Sequence, residues 1–216
     1  MNFLAKVASI VFLPLFMPLY GLLLTLYIPS IPENFYARYS LFYLNPEFKT
    51  SFLSLFSIFT ILAPGLSLLM LRLNKTVSSL GLENKEERKY PIAITAFYFF
   101  LMFGFLMYQQ QGNIPEVLIA TSFGGFLSAV MCLVITRWTK ISLHAMGVGS
   151  LLGFIIAYFQ TQSYFEMNVV YLVILMGIIT TTSRLILNKH TLKQIGLGYG
   201  LGFFVQLLTI FIYSQV

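Results

Sequence analysis

The sequence predicts an all-α integral membrane domain, a bundle of about seven transmembrane helices that includes the whole chain, residues 1–216. Apolar side chains make up 58% of the residues and charged side chains only 9%, which is too little polar surface for a soluble globular domain. Apolar runs approaching about 20 residues recur, and each can cross a hydrocarbon layer of about 30 Å as a helix. The composition therefore indicates a multi-pass protein of the cell membrane.

Polar and proline-containing segments separate the apolar runs and set the boundaries of the predicted spans. Pro14 and Pro18 should kink the first span. Pro64 and Gly65 should interrupt the second, and Pro91 suits the first turn of the third, where its missing N–H costs nothing. No small-x-small cleavage site follows the first span, so we expect it to be retained. The predicted spans are residues 7–28, 52–73, 91–108, 117–135, 144–159, 167–187 and 191–213.

The charge pattern favours membrane lipids as partners. The net charge is +6, but the basic residues lie between apolar runs, so anionic lipid head groups suit them better than nucleic acid. Cys132 is the only cysteine, which excludes an internal disulfide and a cysteine zinc cluster. The chain has no aspartate, which argues against the magnesium-dependent prenyl and alcohol phosphotransferases. We expect neither a metal ion nor a cofactor.

The chain has two histidines, His144 and His190, and each lies near an arginine or lysine at the end of an apolar run. This combination suggests a site for an anion. Ser183, Arg184 and His190 follow the pattern Ser-Arg, five residues, His. The pattern resembles the third signature of the type 2 phosphatidic acid phosphatase family, in which an aspartate stands at the position of Gln194.

Two further stretches resemble the other signatures of this family. Ser142 and His144 stand where the second signature, Pro-Ser-Gly-His, has its serine and histidine. Arg88 resembles the arginine of the first signature, and Lys89 or Lys85 would take the place of its lysine. Ser142 and His144 should lie at a helix N-terminus, where unpaired backbone N–H groups favour an anion, although a serine there is also a common helix cap.

The resemblance implies a six-helix core and the metal-independent hydrolysis of a lipid phosphate or diphosphate, phosphatidate-like or polyprenyl diphosphate-like, through a phosphohistidine. It implies His190 as the nucleophile, His144 as the general acid and Gln194 as the group behind the nucleophile. The implied phosphate-binding residues are Arg184, Arg88, Ser142, Ser183 and Lys89. Because Gln194 is neutral where the family has a carboxylate, the alternative is a weak or inactive member that serves as a lipid-binding or membrane-complex subunit.

Counting the spans tests whether these residues can meet. An even number of crossings separates Arg88, His144 and His190, so all three should lie at one membrane face. Most basic residues also fall on that face, so the positive-inside rule favours the cytoplasm, whereas the family that the motifs resemble usually works on the opposite face; both faces stay open. Gly149 and Gly153 in the fifth span, and the alternating glycines at residues 196–202 in the seventh, should let these two helices approach closely and bring the histidines together.

Overall fold

A computed structural model describes residues 2–33, 40–77, 86–109 and 114–213. Seven helical segments in these ranges are long and apolar enough to cross a membrane, which confirms the predicted helical bundle. The elements are α1 (Asn2–Val11), α2 (Met17–Tyr27), β1 (Ser30–Pro32), α3 (Pro46–Phe56), α4 (Ala63–Leu73), α5 (Lys89–Tyr108), α6 (Glu116–Ile135), α7 (Leu143–Gln160), β2 (Gln162–Phe165), α8 (Met167–Ile186) and α9 (Leu192–Tyr213). The last five spans begin and end within two residues of their predicted bounds.

The first span is broken more sharply than predicted. α1 and α2 are separate helices, joined by a 3-10 turn at Pro14–Phe16. Leu13 has an extended backbone, with φ −60° and ψ 140°, because the ring of a following proline disfavours the helical conformation. The break bends the first span where it lines the cavity of the candidate site.

The second span begins earlier than predicted and is not interrupted at Pro64. α3 continues into α4 through a π-helical segment, Ser57–Leu62. Proline has no N–H to donate, and the wider turn that precedes Pro64 accommodates the missing hydrogen bond within the helix. Thr60, inside this segment, is buried and donates its hydroxyl to the carbonyl of Phe56 at 2.8 Å. The span therefore stays continuous from residue 46 to residue 73.

The prediction of a bundle without any sheet was wrong in one detail. β1 and β2 form a two-stranded antiparallel sheet in which Ser30 pairs with Phe165. Its two segments follow the first and fifth spans, so they leave the membrane at the same face. The buried hydroxyl of Tyr158 anchors the sheet, because it lies 3.0 Å from the hydroxyl of Ser30 and accepts the N–H of Leu41 at 3.0 Å. This sheet marks the membrane face opposite the predicted site.

α7 and α9 make the most extensive helix contact in the described part of the chain. Gly149 of α7 lies against the backbone of Tyr199, and Gly202 of α9 lies against the backbone of Met146. A Cβ atom on either glycine would collide with the facing carbonyl oxygen. The predicted close approach of the fifth and seventh spans is therefore confirmed, and small residues make it possible.

The starts of α5, α7 and α9 meet at one end of the bundle. The N–H of Ser142, just before α7, donates to the carbonyl of Gln194 in α9 at 3.3 Å. Arg88, just before α5, donates from Nη1 to the carbonyl of Ile141 at 3.3 Å. The three connections that carry the predicted site residues thus lie together, as the counting of spans predicts.

Candidate functional site

A cavity of about 350 Å³ lies inside the bundle and reaches the end where these three connections meet. Its wall includes Arg88, His144, Arg184 and His190. These four residues come from three separate stretches of the sequence, the starts of α5 and α7 and the turn between α8 and α9, which meet at the same space. The volume falls within the range of about 300–1,000 Å³ that is typical of small-molecule sites.

The turn between α8 and α9 fixes the position of Arg184 relative to His190. Asn188 adopts the left-handed backbone conformation, with φ 51°. The N–H of Lys189 donates to the carbonyl of Arg184 at 3.1 Å, and that of Asn188 donates to the carbonyl of Leu185 at 2.9 Å. These two bonds form a Schellman motif, and asparagine tolerates its left-handed position better than most residues do. The reversal places the side chains of Arg184 and His190 on one cavity wall.

Gln194 contacts His190 as predicted, but through a helix cap instead of along a helix. His190 precedes α9, and Thr191 caps the helix. The Oε1 atom of Gln194 accepts the N–H of Thr191 at 3.2 Å and lies 3.3 Å from Nδ1 of His190. The N–H of Gln194 donates in return to Oγ1 of Thr191 at 3.4 Å. This is a capping box, whose Thr-x-x-Gln pattern is visible in the sequence and was missed.

The cap determines which nitrogen of His190 carries the proton. Oε1 of Gln194 is the amide oxygen, since it accepts the backbone N–H of Thr191, and an oxygen of this kind cannot donate. Nδ1 of His190 must therefore donate to it. The neutral ring then has its lone pair on Nε2, which is the tautomer that a nucleophile attacking through Nε2 requires.

The surroundings of His190 favour its neutral form. Burial, together with the charges of Arg88 and Arg184, lowers the pKa of His190 to about 4, against the opposing effect of the hydrogen bond with Gln194. The side chain is 8% exposed. The imidazole is thus a neutral base in a positively charged environment at physiological pH.

We expect a histidine titration by NMR to show His190 protonating near pH 4 instead of near 6.5, the ordinary value. Between these two values the unfolded chain binds the proton and the folded chain does not, so the contribution of His190 to stability is present above pH 6.5 and is lost as the pH falls towards 4. The chain has only two histidines, and the spectrum of His190→Asn assigns the signals. Gln194→Glu should raise this pKa, and a value near 6.5 in the unmodified protein would contradict the burial of the ring.

Ser9 connects the first span to both halves of the site. Its carbonyl accepts Nε2–H of His144 at 3.0 Å, and its hydroxyl accepts Nη1–H of Arg184 at 3.2 Å. The same hydroxyl lies 3.2 Å from Oγ of Ser183. Ser9 was not predicted to be a site residue. A polar side chain inside an apolar run is the signal that could have found it.

The bond with Ser9 also determines the tautomer of His144. A carbonyl oxygen only accepts, so Nε2 of His144 carries the proton and Nδ1 has the lone pair in the neutral ring. The proton that a general acid would donate is therefore already engaged by a backbone carbonyl. His144 lies on the cavity wall, and this bond has to open before the proton can reach a substrate.

Two arginine side chains, one buried and one partly buried, give the cavity its charge. Arg88 is only 6% exposed, and burial together with the nearby charge of Arg184 lowers its pKa. An arginine stays protonated under such conditions, because its ordinary pKa is above about 12. In Arg184, Nη1 bonds Ser9, whereas the buried Nε has no hydrogen-bond partner among the described residues. The cavity wall thus includes an arginine with one donor that no group in the described part of the chain satisfies.

Three predicted phosphate ligands do not lie on the cavity wall. Ser142 is fully buried and caps α7, where its hydroxyl accepts the N–H of Ala145 at 3.3 Å. Ser183 is buried and donates to the carbonyl of Thr180 at 2.7 Å. Lys89 is exposed, with its ammonium group 5.2 Å from the centre of the Tyr90 ring. Lys85 lies outside the described residues.

Comparison of the chain with protein-family models, with curated proteins and with solved structures finds no match. The assignment of a function therefore depends on the chemistry of the site. Within the described ranges, no group of three histidine, cysteine or acidic side chains could hold a metal ion. The cavity instead presents two arginines and two histidines, a set suited to an anion such as phosphate.

Proposed function

We propose that the protein hydrolyses a lipid phosphate without a metal ion, through a phosphohistidine on His190, like the type 2 phosphatidic acid phosphatases that its motifs resemble. The observation that carries the proposal is the buried Nε–H of Arg184, which has no partner among the described residues and belongs to a side chain that lines the same cavity as Arg88 and His190. An unpaired buried donor costs free energy, and a phosphate oxygen would satisfy it with a charge-assisted hydrogen bond. The site lies in a membrane bundle, so the phosphate belongs to a lipid.

In the first step, Nε2 of His190 attacks phosphorus, an N–P bond forms, and the bond from phosphorus to the leaving alcohol oxygen breaks. The leaving oxygen takes the Nε2 proton of His144, which enters the step as an imidazolium with a second proton on Nδ1, so a neutral ring remains when its bond with the Ser9 carbonyl opens. In the second step, water attacks phosphorus, the N–P bond breaks, and His144 recovers its proton from the water. Arg184 and Arg88 stabilise the negative charge on the phosphoryl oxygens in both steps.

The second candidate function is lipid-phosphate binding without turnover. The contact that favours it is the 3.0 Å bond that engages the proton of His144 with the Ser9 carbonyl. Gln194 also favours binding without turnover, because its neutral amide stabilises an imidazolium less than the carboxylate of the family would. In this alternative the cavity, the two arginines and the unpaired donor bind the same ligand.

A phosphate-release assay on purified protein in detergent, with a chelator present, separates the two functions. We expect release of inorganic phosphate from a long-chain lipid phosphate at a steady rate that the chelator does not change. Binding without turnover would instead raise the midpoint of thermal unfolding in proportion to the logarithm of lipid concentration, with no phosphate released. Neither release nor stabilisation would contradict both functions.

We further propose that the site faces the cytoplasm across the cell membrane. The described basic residues at the site end outnumber those at the other end, which has Lys49. Those at the site end are Lys6, Arg72, Lys75, Arg88, Lys89, Arg137, Lys140, Arg184, Lys189 and Lys193. Lys75→Cys should resist a membrane-impermeant thiol reagent in intact cells and react after permeabilisation, since the native Cys132 is buried. Labelling in intact cells would reverse the assignment.

A further inference from the structure

Ser9 engages two of the donors that the proposed reaction needs. Its carbonyl accepts Nε2–H of His144 at 3.0 Å, and its hydroxyl accepts Nη1–H of Arg184 at 3.2 Å. A third donor, Nε–H of Arg184, is buried without a partner among the described residues, so a phosphate reaches it only after neighbouring groups move. In the proposed reaction His144 protonates a leaving oxygen and Arg184 binds phosphoryl oxygens. Two oxygen atoms of Ser9 therefore make the contacts that a phosphate ester would make.

The break in the first span makes the Ser9 carbonyl available to His144. In a regular helix this carbonyl would accept the N–H of Leu13, four residues later. The N–H of Leu13 instead donates to the carbonyl of Ile10 at 3.3 Å, because Pro14 has no N–H to offer that carbonyl. The Ser9 carbonyl thus loses its helical partner, and the imidazole takes its place. The same proline ends α1 and makes possible the contact with His144.

α1 is held against the bundle by a small surface. It packs mainly against α8, and of its ten residues Ala5 and Ser9 are the buried ones. Both have small side chains, whereas Phe3, Leu4 and Ile10 are 64–75% exposed. Lipid chains are as apolar as these side chains, so α1 and α8 associate through packing and hydrogen bonds without a hydrophobic driving force. The bonds of Ser9 are therefore important for holding α1 in place.

The segment between α1 and α2 has the structure of a hinge. Leu13 is extended, and Pro14 interrupts the helical hydrogen bonds. The hydroxyl of Tyr20 in α2 bridges the break, since it donates to the carbonyl of Val11 at the end of α1 at 2.9 Å. Hinges are a few residues at the ends of elements that absorb a change in backbone dihedrals. A change at Leu13 would move α1 as a unit while α2 keeps its contact with α7.

We propose that α1 is a gate over the site, hinged at Leu13, and that Ser9 holds it closed as an internal mimic of the substrate. The inference rests on the proposed lipid-phosphate function and adds its regulation. When a phosphate ester enters, its oxygens replace those of Ser9 on His144 and Arg184, and α1 moves away from α8. One motion then frees both the proton for the leaving oxygen and the guanidinium for the phosphoryl oxygens. Ser9 is a positioning residue of the closed state.

Ser9→Ala removes the hydroxyl that competes for Arg184. We expect inorganic phosphate to bind about fivefold more tightly, the effect of one hydrogen bond, measured by thermal stabilisation of the purified protein in detergent. The matched control is Thr25→Val in the same span, whose buried hydroxyl bonds the carbonyl of Gly21 in its own helix at 3.0 Å. Weaker binding in Ser9→Ala would overturn the gate, because Ser9 would then support Arg184. An equal gain in the control would also overturn it.

A disulfide tests whether the gate must open. The hydroxyl oxygens of Ser9 and Ser183 lie 3.2 Å apart, close enough for two sulfur atoms to bond after a small adjustment. Ser9→Cys combined with Ser183→Cys should therefore join α1 to α8 on oxidation, and the native Cys132 is buried. We expect oxidation to lower phosphate release from a long-chain lipid phosphate at least tenfold and reduction to restore it. Equal activity of the cross-linked and reduced forms would overturn the gate.

Spin labels measure the motion of α1 directly. Phe3→Cys and Leu192→Cys place the labels at side chains that are 75% and 73% exposed at the site end. Pulsed EPR should show a second distance between them when inorganic phosphate binds, and Tyr20→Phe should populate that distance without phosphate. An unchanged distance in a protein that phosphate stabilises would overturn the gate while the anion site stands. Neither stabilisation by phosphate nor hydrolysis of a lipid phosphate would overturn the proposed function itself.

Discussion

His190→Asn should lower the rate of lipid-phosphate hydrolysis by about a thousandfold or more, the scale seen when a catalytic nucleophile is removed. Asparagine places an amide N–H near the position of Nδ1, so it can still donate to Oε1 of Gln194, which lies 3.3 Å from Nδ1 in the unmodified protein. The variant lacks only the Nε2 lone pair that attacks phosphorus. The measurement is phosphate release at saturating lipid.

Thermal unfolding of the same variant is the control, because a fold that remains intact assigns the loss to chemistry. We expect lipid-phosphate binding to persist, since Arg184 and Arg88 are unchanged. Phosphate release at more than about a tenth of the original rate would show that His190 is not the nucleophile.

Gly202→Ala should destabilise the protein by at least about 2 kcal/mol, as overpacking of a tight contact does. The new Cβ atom would collide with the carbonyl oxygen of Met146, and a backbone group cannot turn aside as a side chain can. α7 and α9 would have to separate, and these helices position His144 and His190. The variant should therefore lose phosphate release together with stability, measured by thermal unfolding in one detergent.

Gly200→Ala is the matched control on the same helix. A Cβ atom at Gly200 meets nothing within 4 Å, and alanine has the higher helix propensity, by about 1 kcal/mol. We expect its unfolding midpoint to stay the same or to rise. Equal destabilisation by the two substitutions would mean that α9 does not pack through the face that contains Gly202.

The number and order of the spans could be predicted because each needs only a long apolar run, which is a local property of the sequence. The glycines of the fifth and seventh spans also predicted which helices pack together. The prolines predicted where the backbone would depart from a regular α-helix, but not which structure it would adopt there. The chain enters a 3-10 turn at Pro14, whereas Pro64 lies inside a helix that widens before it. Which of these two structures forms depends on the packing around each proline.

The candidate site was predictable where short motifs fix the spacing of the residues. The residues between Arg184 and His190 form the turn that ends α8. The spacing of the two residues in the motif therefore reflects the geometry of that turn. Ser9 was missed because a hydroxyl in an apolar run does not show which neighbour it faces. The pairing of β1 with β2 was missed for a similar reason, since it joins two very short segments that are far apart in the sequence.

The contacts of Ser9 have a consequence for the order of biosynthesis. This serine leaves the ribosome well before its partners His144, Ser183 and Arg184, which follow 135, 174 and 175 residues later. The hydroxyl and the carbonyl of Ser9 therefore lack these partners while the intervening residues are inserted into the bilayer. Contacts of such long sequence separation form late and slowly. The site is completed only when this early segment joins α7 and α8.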